Sequence, residues 1–140
     1  MRVLIAVDGS AVSTRAAKHA AMLYSRFAVK PELIVLYADE PILSGFAKHL
    51  GAEGVKEYHA ENVQSALKTA RSLFSRAGVP FSEHTSFGMP AQTILTAVSS
   101  LKCELLIMGS HGRGAFKSLL LGSVATKVLS LCKVPLTIVR

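Results

Sequence analysis

With 140 residues, half of them hydrophobic and 18% charged, the chain has the length of one domain (1–140) and the composition of a packed globule, not of a disordered tail. A chain this long buries about 70% of its unfolded surface, so it needs no staples, and its cysteines, Cys103 and Cys132, show neither C-x-x-C nor metal-ligand spacing. The formal net charge of +7 is spread over scattered lysines and arginines with little aromatic interleaving, which points to a solvated surface or a small anionic ligand and away from nucleic acid.

No apolar run approaches the ~20 residues of a membrane span. Asp8 interrupts the N-terminal apolar run before it reaches secretory length. The expectation is a soluble cytoplasmic protein without membrane insertion.

In chain order, residues 2–7 (RVLIAV) form a near-continuous apolar strand, as in the middle of a parallel sheet. Asp8-Gly9-Ser10 makes a turn, and Ser10 or Ser13 can cap the helix that follows to about Phe27. Ala16, Ala17, Ala20, Leu23, Tyr24 and Phe27 give that helix its apolar face. Residues 33–38 (LIVLYA) read as a second strand. Residues 39–54 contain Pro41, Gly45, Gly51 and Gly54, but also Ile42, Leu43, Phe46 and Leu50. That mixture suggests a partly ordered flap with a helical turn: either a lid or partner surface, or a satellite hydrophobic cluster.

The clearest helical spacing spans 57–77, with Val63, Leu67, Ala70, Phe74 and Ala77 in step and Gly78 then Pro80 as stop signals. His59 lies between Glu57 and Glu61, where a solvated helix face is the expected reading. Residues 81–87 (FSEHTSF) form a strand polar enough for a sheet edge. Gly88-Met89-Pro90 then turns into a helix with Pro90 at its start and Ile94, Leu95, Val98 and Leu101 inward. Residues 104–108 are a fourth strand and 134–139 (VPLTIV) a last apolar one. This β-α-β-α-β-α-β-α-β alternation specifies a parallel sheet with helices on both faces.

The stretch from 105 to 131 carries the chemistry. An apolar strand ends in a loop holding Gly109, Gly112, Gly114 and Gly122, and a helix follows with Val124, Val128 and Leu131 at helical spacing. Loop N–H groups and a helix N-terminus aim positive charge at one point, which suits a phosphate. Ser123 can cap the helix or donate to a phosphate oxygen, and Arg113 and Lys117 add charge. The spacing is not a Walker A loop, because no glycine is followed after four residues by Gly-Lys-Ser/Thr, nor the dinucleotide fingerprint, because Lys117 stands where a third glycine would be needed. On residue chemistry alone, a phosphate loop and a tight strand-to-helix connection both remain open.

The pattern Gly109-x2-Gly112-x9-Gly122-Ser123 matches the loop of the universal stress protein family in its ATP-binding branch. The apolar strand running into Val7-Asp8-Gly9-Ser10, then Ser13, also resembles that family, and the resemblance covers essentially the whole chain. It implies a doubly wound, five-stranded parallel sheet in the order 3-2-1-4-5. Strand order then reverses between strands 1 and 4, so Val7-Asp8 and Met108-Gly109 would meet at one crevice.

Carried over by position, the resemblance places Gly109, Gly112, Gly122 and Ser123 on the phosphates of ATP, with Val124 at the helix start. Ala38 and Met108 would line the adenine slot, and Val7 and Asp8 would flank the ribose or phosphates. Asp8 would hold a phosphate-chelated Mg²⁺, with Arg113 supplying charge. The family often has proline before this aspartate and valine at the adenine position; here Val7 and Ala38 stand there.

The resemblance also implies a homodimer through the strand from Val134 to Val139, which would cover an apolar edge. Its protein partner is left unnamed. Hydrolysis needs a residue that positions water. His111 is the histidine placed nearest the loop, and no carboxylate pair or Ser-His-Asp order stands out. The expectation is therefore an ATP-binding stress-response protein with at most slow hydrolysis. The alternatives are a slow ATPase or adenylate-transferring enzyme, and an interaction module that binds no nucleotide.

Overall fold

The computed structural model describes residues 1–114 and 121–140. Lys117, read above as part of the loop's charge, lies outside them. Five strands form one parallel sheet: β1 (Arg2–Ala6), β2 (Glu32–Asp39), β3 (Ser82–Phe87), β4 (Leu105–Gly109) and β5 (Leu136–Val139), in the order β3-β2-β1-β4-β5. The fold class and strand order are those expected from the sequence and its resemblance.

The sheet is apolar on both faces because a helix layer covers each. Val3, Ile5, Leu33, Val35 and Ile107 pack with Ala16, Ala17 and Ala20 of α1 (Ala11–Arg26) and with Leu67, Ala70 and Phe74 of α2 (Ser44–Arg76). Leu4, Ile34, Leu36 and Leu106 point the other way. They meet Ile94, Ala97 and Val98 of α3 (Pro90–Ser100) and Val128 of α4 (Ser123–Leu131). Successive side chains of a strand alternate between faces, so the near-continuous apolar runs feed both layers. Winding outward from β1 in both directions with right-handed crossovers requires this division of helices.

Local sequence explains the helix ends. The Ser10 hydroxyl accepts from the Ser13 N–H and caps α1. Gly78, at φ +63, closes α2: its N–H donates to the Ser75 carbonyl, and Val79 N–H donates to that of Phe74. The same pair of bonds closes α3, from Lys102 to Ser99 and from Cys103 to Val98, with Lys102 at φ 53 in the position usually held by glycine. Polar β3 is an edge strand, as predicted, and Arg71 of α2 clamps it through both carboxylate oxygens of Glu83 at 2.6 and 2.7 Å.

Several expectations need correction. Residues 39–54 are not mainly a flap. Asp39 ends β2, and α2 begins at Ser44, with a kink at Gly51 where φ is 69 and ψ 174. The glycines there read as loop signals because this end of the helix buries no residue that would show a pattern. Gly109 is the last residue of β4 rather than the first of a loop. The last strand is shorter than 134–139 and half-buried. Gly122, not Ser123, is the N-cap of α4. Leu131 faces solvent, and Ala125 joins Val128 in the core instead.

Candidate functional site

The carboxyl ends of β1 and β4 lie side by side, with Ala6 paired to Met108. Just beyond β1, Asp8 is held by its own turn. Its Oδ1 accepts from Ser10 N–H at 2.9 Å, and its N–H donates to Ser13 Oγ at 3.3 Å. Gly9, at φ +80, makes that turn possible.

Just beyond β4 the backbone is crowded, and each motif glycine sits where a side chain has little room. A Cβ on Gly109 would lie 3.0 Å from Val12 Cγ1 and 3.2 Å from Ser13 N, so strand and helix α1 meet there without spacing. A Cβ on Gly112 would lie 3.0 Å from Asp8 Oδ2, which brings together two motifs that are a hundred residues apart in the chain. A Cβ on Gly122 would lie 3.3 Å from His111 Cα and 3.4 Å from the Ser110 carbonyl oxygen. Gly122 N–H donates to that same carbonyl at 2.8 Å, closing the loop at its neck. Buried Ser110 donates its N–H to Val139 O at 2.8 Å, and its hydroxyl lies 2.9 Å from His111 Nδ1.

Helix α4 starts at this neck. Its N-cap has no side chain to satisfy the first turn. The first N–H groups of a helix have no partner within it, so those of Ser123, Val124 and Ala125 supply donors and a positive dipole end at the loop. The four glycine-loop positions, Gly109, Gly112, Gly122 and Ser123, therefore surround one concavity.

The far wall is β2. It runs to Asp39 while β1 ends at Ala6, which pairs with Leu36. Leu36 turns its carbonyl toward β1 and accepts from Val7, whereas the Asp39 carbonyl accepts from Gly88 on the other side. Backbone groups alternate in direction along a strand, so the N–H and C=O of Ala38 face the crevice above the end of β1.

Asp39 is 2% exposed and gathers three donors. Tyr37 Oη and Asn62 Nδ2 each donate to Oδ1 at 3.1 Å, and His59 Nδ1 lies 2.6 Å from Oδ2. Burial, then the nearby Asp39 charge and hydrogen bond, push the Tyr37 phenol up to about 12. His59 is thus not on a solvated face. It ties α2 to the end of β2, and its ring meets Phe87 edge-on at 4.8 Å. Asp39, Tyr37 and Asn62 were missed as site residues. The one available signal was an aspartate closing an apolar strand, as Asp8 does for β1.

These walls enclose a cleft of about 860 Å³, within the ~300–1,000 Å³ range of small-molecule sites. Val7, Asp8, Ala38, Met108, Gly109, Gly112, Arg113, Gly122, Ser123 and Val124 all line it, as does His111. Ile42, Leu43 and Phe46, from the 39–54 segment expected to be a flap or satellite cluster, add an apolar rim together with Tyr58. Arg113 reaches across Gly9, where a Cβ would meet its Nη2 at 2.9 Å. No group of three metal-ligating side chains exists among the described residues. A cation here would therefore need oxygens from a ligand beside Asp8, a donor set that suits Mg²⁺ carried by phosphates.

The family model for universal stress proteins matches residues 1–140. The chain belongs to the universal stress protein family. It is 31% identical over 143 residues to a universal stress protein of Methanocaldococcus jannaschii, covering 99% of this chain and 81% of that one. It is 32% identical over 139 residues to one of Thermus aquaticus, covering 99% and 97%.

Solved universal stress proteins share the fold. UspA from Lactobacillus plantarum gives a TM-score of 0.82 at 18% identity, with 100% and 97% covered. A universal stress protein in complex with cAMP gives 0.71 at 24%, with 100% and 97% covered. One from Archaeoglobus fulgidus in complex with dAMP gives 0.72 at 19%, with 100% and 98% covered.

Proposed function

We propose that the cleft binds an adenine nucleotide, ATP with Mg²⁺, and that this universal stress protein acts in stress response as a nucleotide-dependent regulatory dimer. The observation that carries the reading is the convergence of Gly112 on Asp8 and of Gly122 on Ser110–His111, which sets a donor-rich loop and the start of α4 opposite the backbone edge of Ala38. Phosphates occupy the loop end. The N–H groups of the first turn of α4 and the Ser123 hydroxyl donate to them, and Arg113 adds charge. At the other end, one residue's N–H and C=O side by side match the acceptor and donor on the base-pairing edge of adenine, with Met108 and Val7 against the ring and ribose. The cAMP and dAMP of the two structural relatives support an adenine ligand.

The magnitudes suit a moderate binder. Three or four hydrogen bonds to charged phosphate contribute about 1.5–3 kcal/mol each, and association costs several kcal/mol. Burial of the adenine ring adds a few kcal/mol more, and the balance is compatible with micromolar affinity, about −8 kcal/mol.

When bound, Mg²⁺ would neutralise phosphate charge, with Asp8 the carboxylate placed to receive it. The Asp8 turn holds that carboxylate beside the loop. Any hydrolysis is slow, and the bound state itself is the signal. The half-buried β5 edge is the dimer contact, and the protein works in the cytoplasm.

Calorimetric titration of ATP and AMP, with and without Mg²⁺, alongside the molar mass in solution, tests both parts. Micromolar binding by a dimer is expected. A folded protein that binds no adenine nucleotide at millimolar concentration would leave an interaction module instead.

A further inference from the structure

Leu43 and Phe46 line the cleft, yet they are 82% and 49% exposed. They sit on an excursion whose two ends are tied to one carboxylate. Asp39 closes β2 at its start, and His59 returns to Asp39 Oδ2 at 2.6 Å at its end. Between these points α2 buries nothing; its buried residues begin at Ala66.

Gly51 divides the helix with non-helical angles, and a Cβ there would meet nothing within 4 Å. The bend is therefore set by the backbone of Gly51, not by crowding. It folds the leading turns back so that Phe46 meets Tyr58 edge-on, with centroids 6.0 Å apart at 83°. An apolar, aromatic surface is thus held over the base end of the cleft by a pivot and a fixed anchor, and no core packing restrains it.

We propose that the N-cap and leading turns of α2 are a closing wall of the base pocket: Leu43, at the cap, and Phe46, in the first turn, pack onto the face of the nucleobase, and Gly51 is the pivot. This inference rests on the nucleotide reading above. The occupant is a purine base and not a second chain, because the same side chains share one cleft with the glycine loop. A planar aromatic ligand anchored there by its phosphates presents its ring to them. Closure then responds to the base, while the phosphates bind at the glycine loop and the start of α4, away from Leu43 and Phe46.

The chain contains no tryptophan, so Phe46→Trp introduces a sole indole. In this variant ATP should shift the emission to shorter wavelength, with saturation at the calorimetric Kd, and inorganic tripolyphosphate should not. The paired change Leu43→Ala with Phe46→Ala should weaken ATP about tenfold. It should leave tripolyphosphate binding and the urea unfolding midpoint unchanged, because neither side chain belongs to either core layer.

If the wild-type protein binds ATP by calorimetry but the indole emission stays constant and the alanine pair binds equally well, the closing wall is wrong and the nucleotide reading stands. If the alanine pair instead dissociates a dimer without changing ATP affinity, the surface belongs to a second chain and the proposal falls. If the wild-type protein binds no adenine nucleotide, the nucleotide reading fails and takes this inference with it.

Discussion

His59 Nδ1 lies 2.6 Å from Asp39 Oδ2, joining the middle of α2 to the carboxyl end of β2 beside the cleft. A buried carboxylate with three donors loses more when it is removed than any one donor does. Asp39→Ala should therefore destabilise the protein by about 3 kcal/mol, and His59→Ala by about 2 kcal/mol, measured by urea unfolding. Equal and small effects would show that the cluster is not a structural anchor.

Tyr37 donates to the same carboxylate, and its phenol is pushed up to about 12 from an ordinary 10.0. A group whose folded pKa is raised adds stability that is complete below the unfolded value and lost as pH rises through the folded one. Stability should thus decline between about pH 10 and 12. Tyr37→Phe should remove that slope and, from an ultraviolet absorbance titration, the step near pH 12.

Arg71 holds the Glu83 carboxyl below its ordinary 4.5 through a two-pronged hydrogen bond, opposed by partial burial. The sign is opposite to that of Tyr37: the contribution is present above about pH 4.5 and fades as pH falls through the lowered value. With a third of each side chain exposed to solvent, the pair contributes no more than about 1 kcal/mol. Glu83→Gln should be less stable than the wild type at neutral pH and equal to it in acid. A gap that persists in acid would assign the loss to packing of β3.

Lys102 stands at φ 53 where α3 ends in a glycine-type turn. Side chains other than glycine cost about 1–2 kcal/mol in that region, partly offset by the greater freedom of unfolded glycine. Lys102→Gly should raise stability by about 0.5–1 kcal/mol in urea or thermal unfolding. A loss would mean that the lysine side chain makes a contribution larger than its strain.

Burial pushes the Cys103 thiol up, and the side chain is 5% exposed. A thiol reagent should therefore modify Cys132 in the folded protein and reach Cys103 only on unfolding. Rapid labelling of both would contradict the packing beneath α3.

Much of this was legible in the residues. The apolar runs of β1, β2 and β4 announce a sheet covered on both faces, and polar β3 announces its edge. Gly109, Gly112 and Gly122 mark the loop by spacing, although the structure shows that their space is limited by Val12, Asp8 and His111. No local pattern could reveal those neighbours. His59 looked solvated between two glutamates because its partner is twenty residues away in sequence. The start of α2 was hidden for a related reason: a helix that buries no face leaves no periodicity, and Gly45, Gly51 and Gly54 outweighed it. Ser123 has the residue type of a cap, but Gly122 occupies that position because its backbone must approach Ser110.

The central claim is most directly tested by titrating ATP into the wild-type protein and into Gly122→Val by calorimetry. A Cβ at Gly122 already approaches the backbone of His111 to 3.3 Å, and the valine methyl groups would force the neck of the loop open. The account predicts micromolar ATP binding by the wild type, weakened at least about tenfold in a variant that circular dichroism shows to be folded, a loss of about 1.4 kcal/mol or more. Equal ATP affinity in the two proteins, or no binding by the folded wild type at millimolar nucleotide, would contradict it.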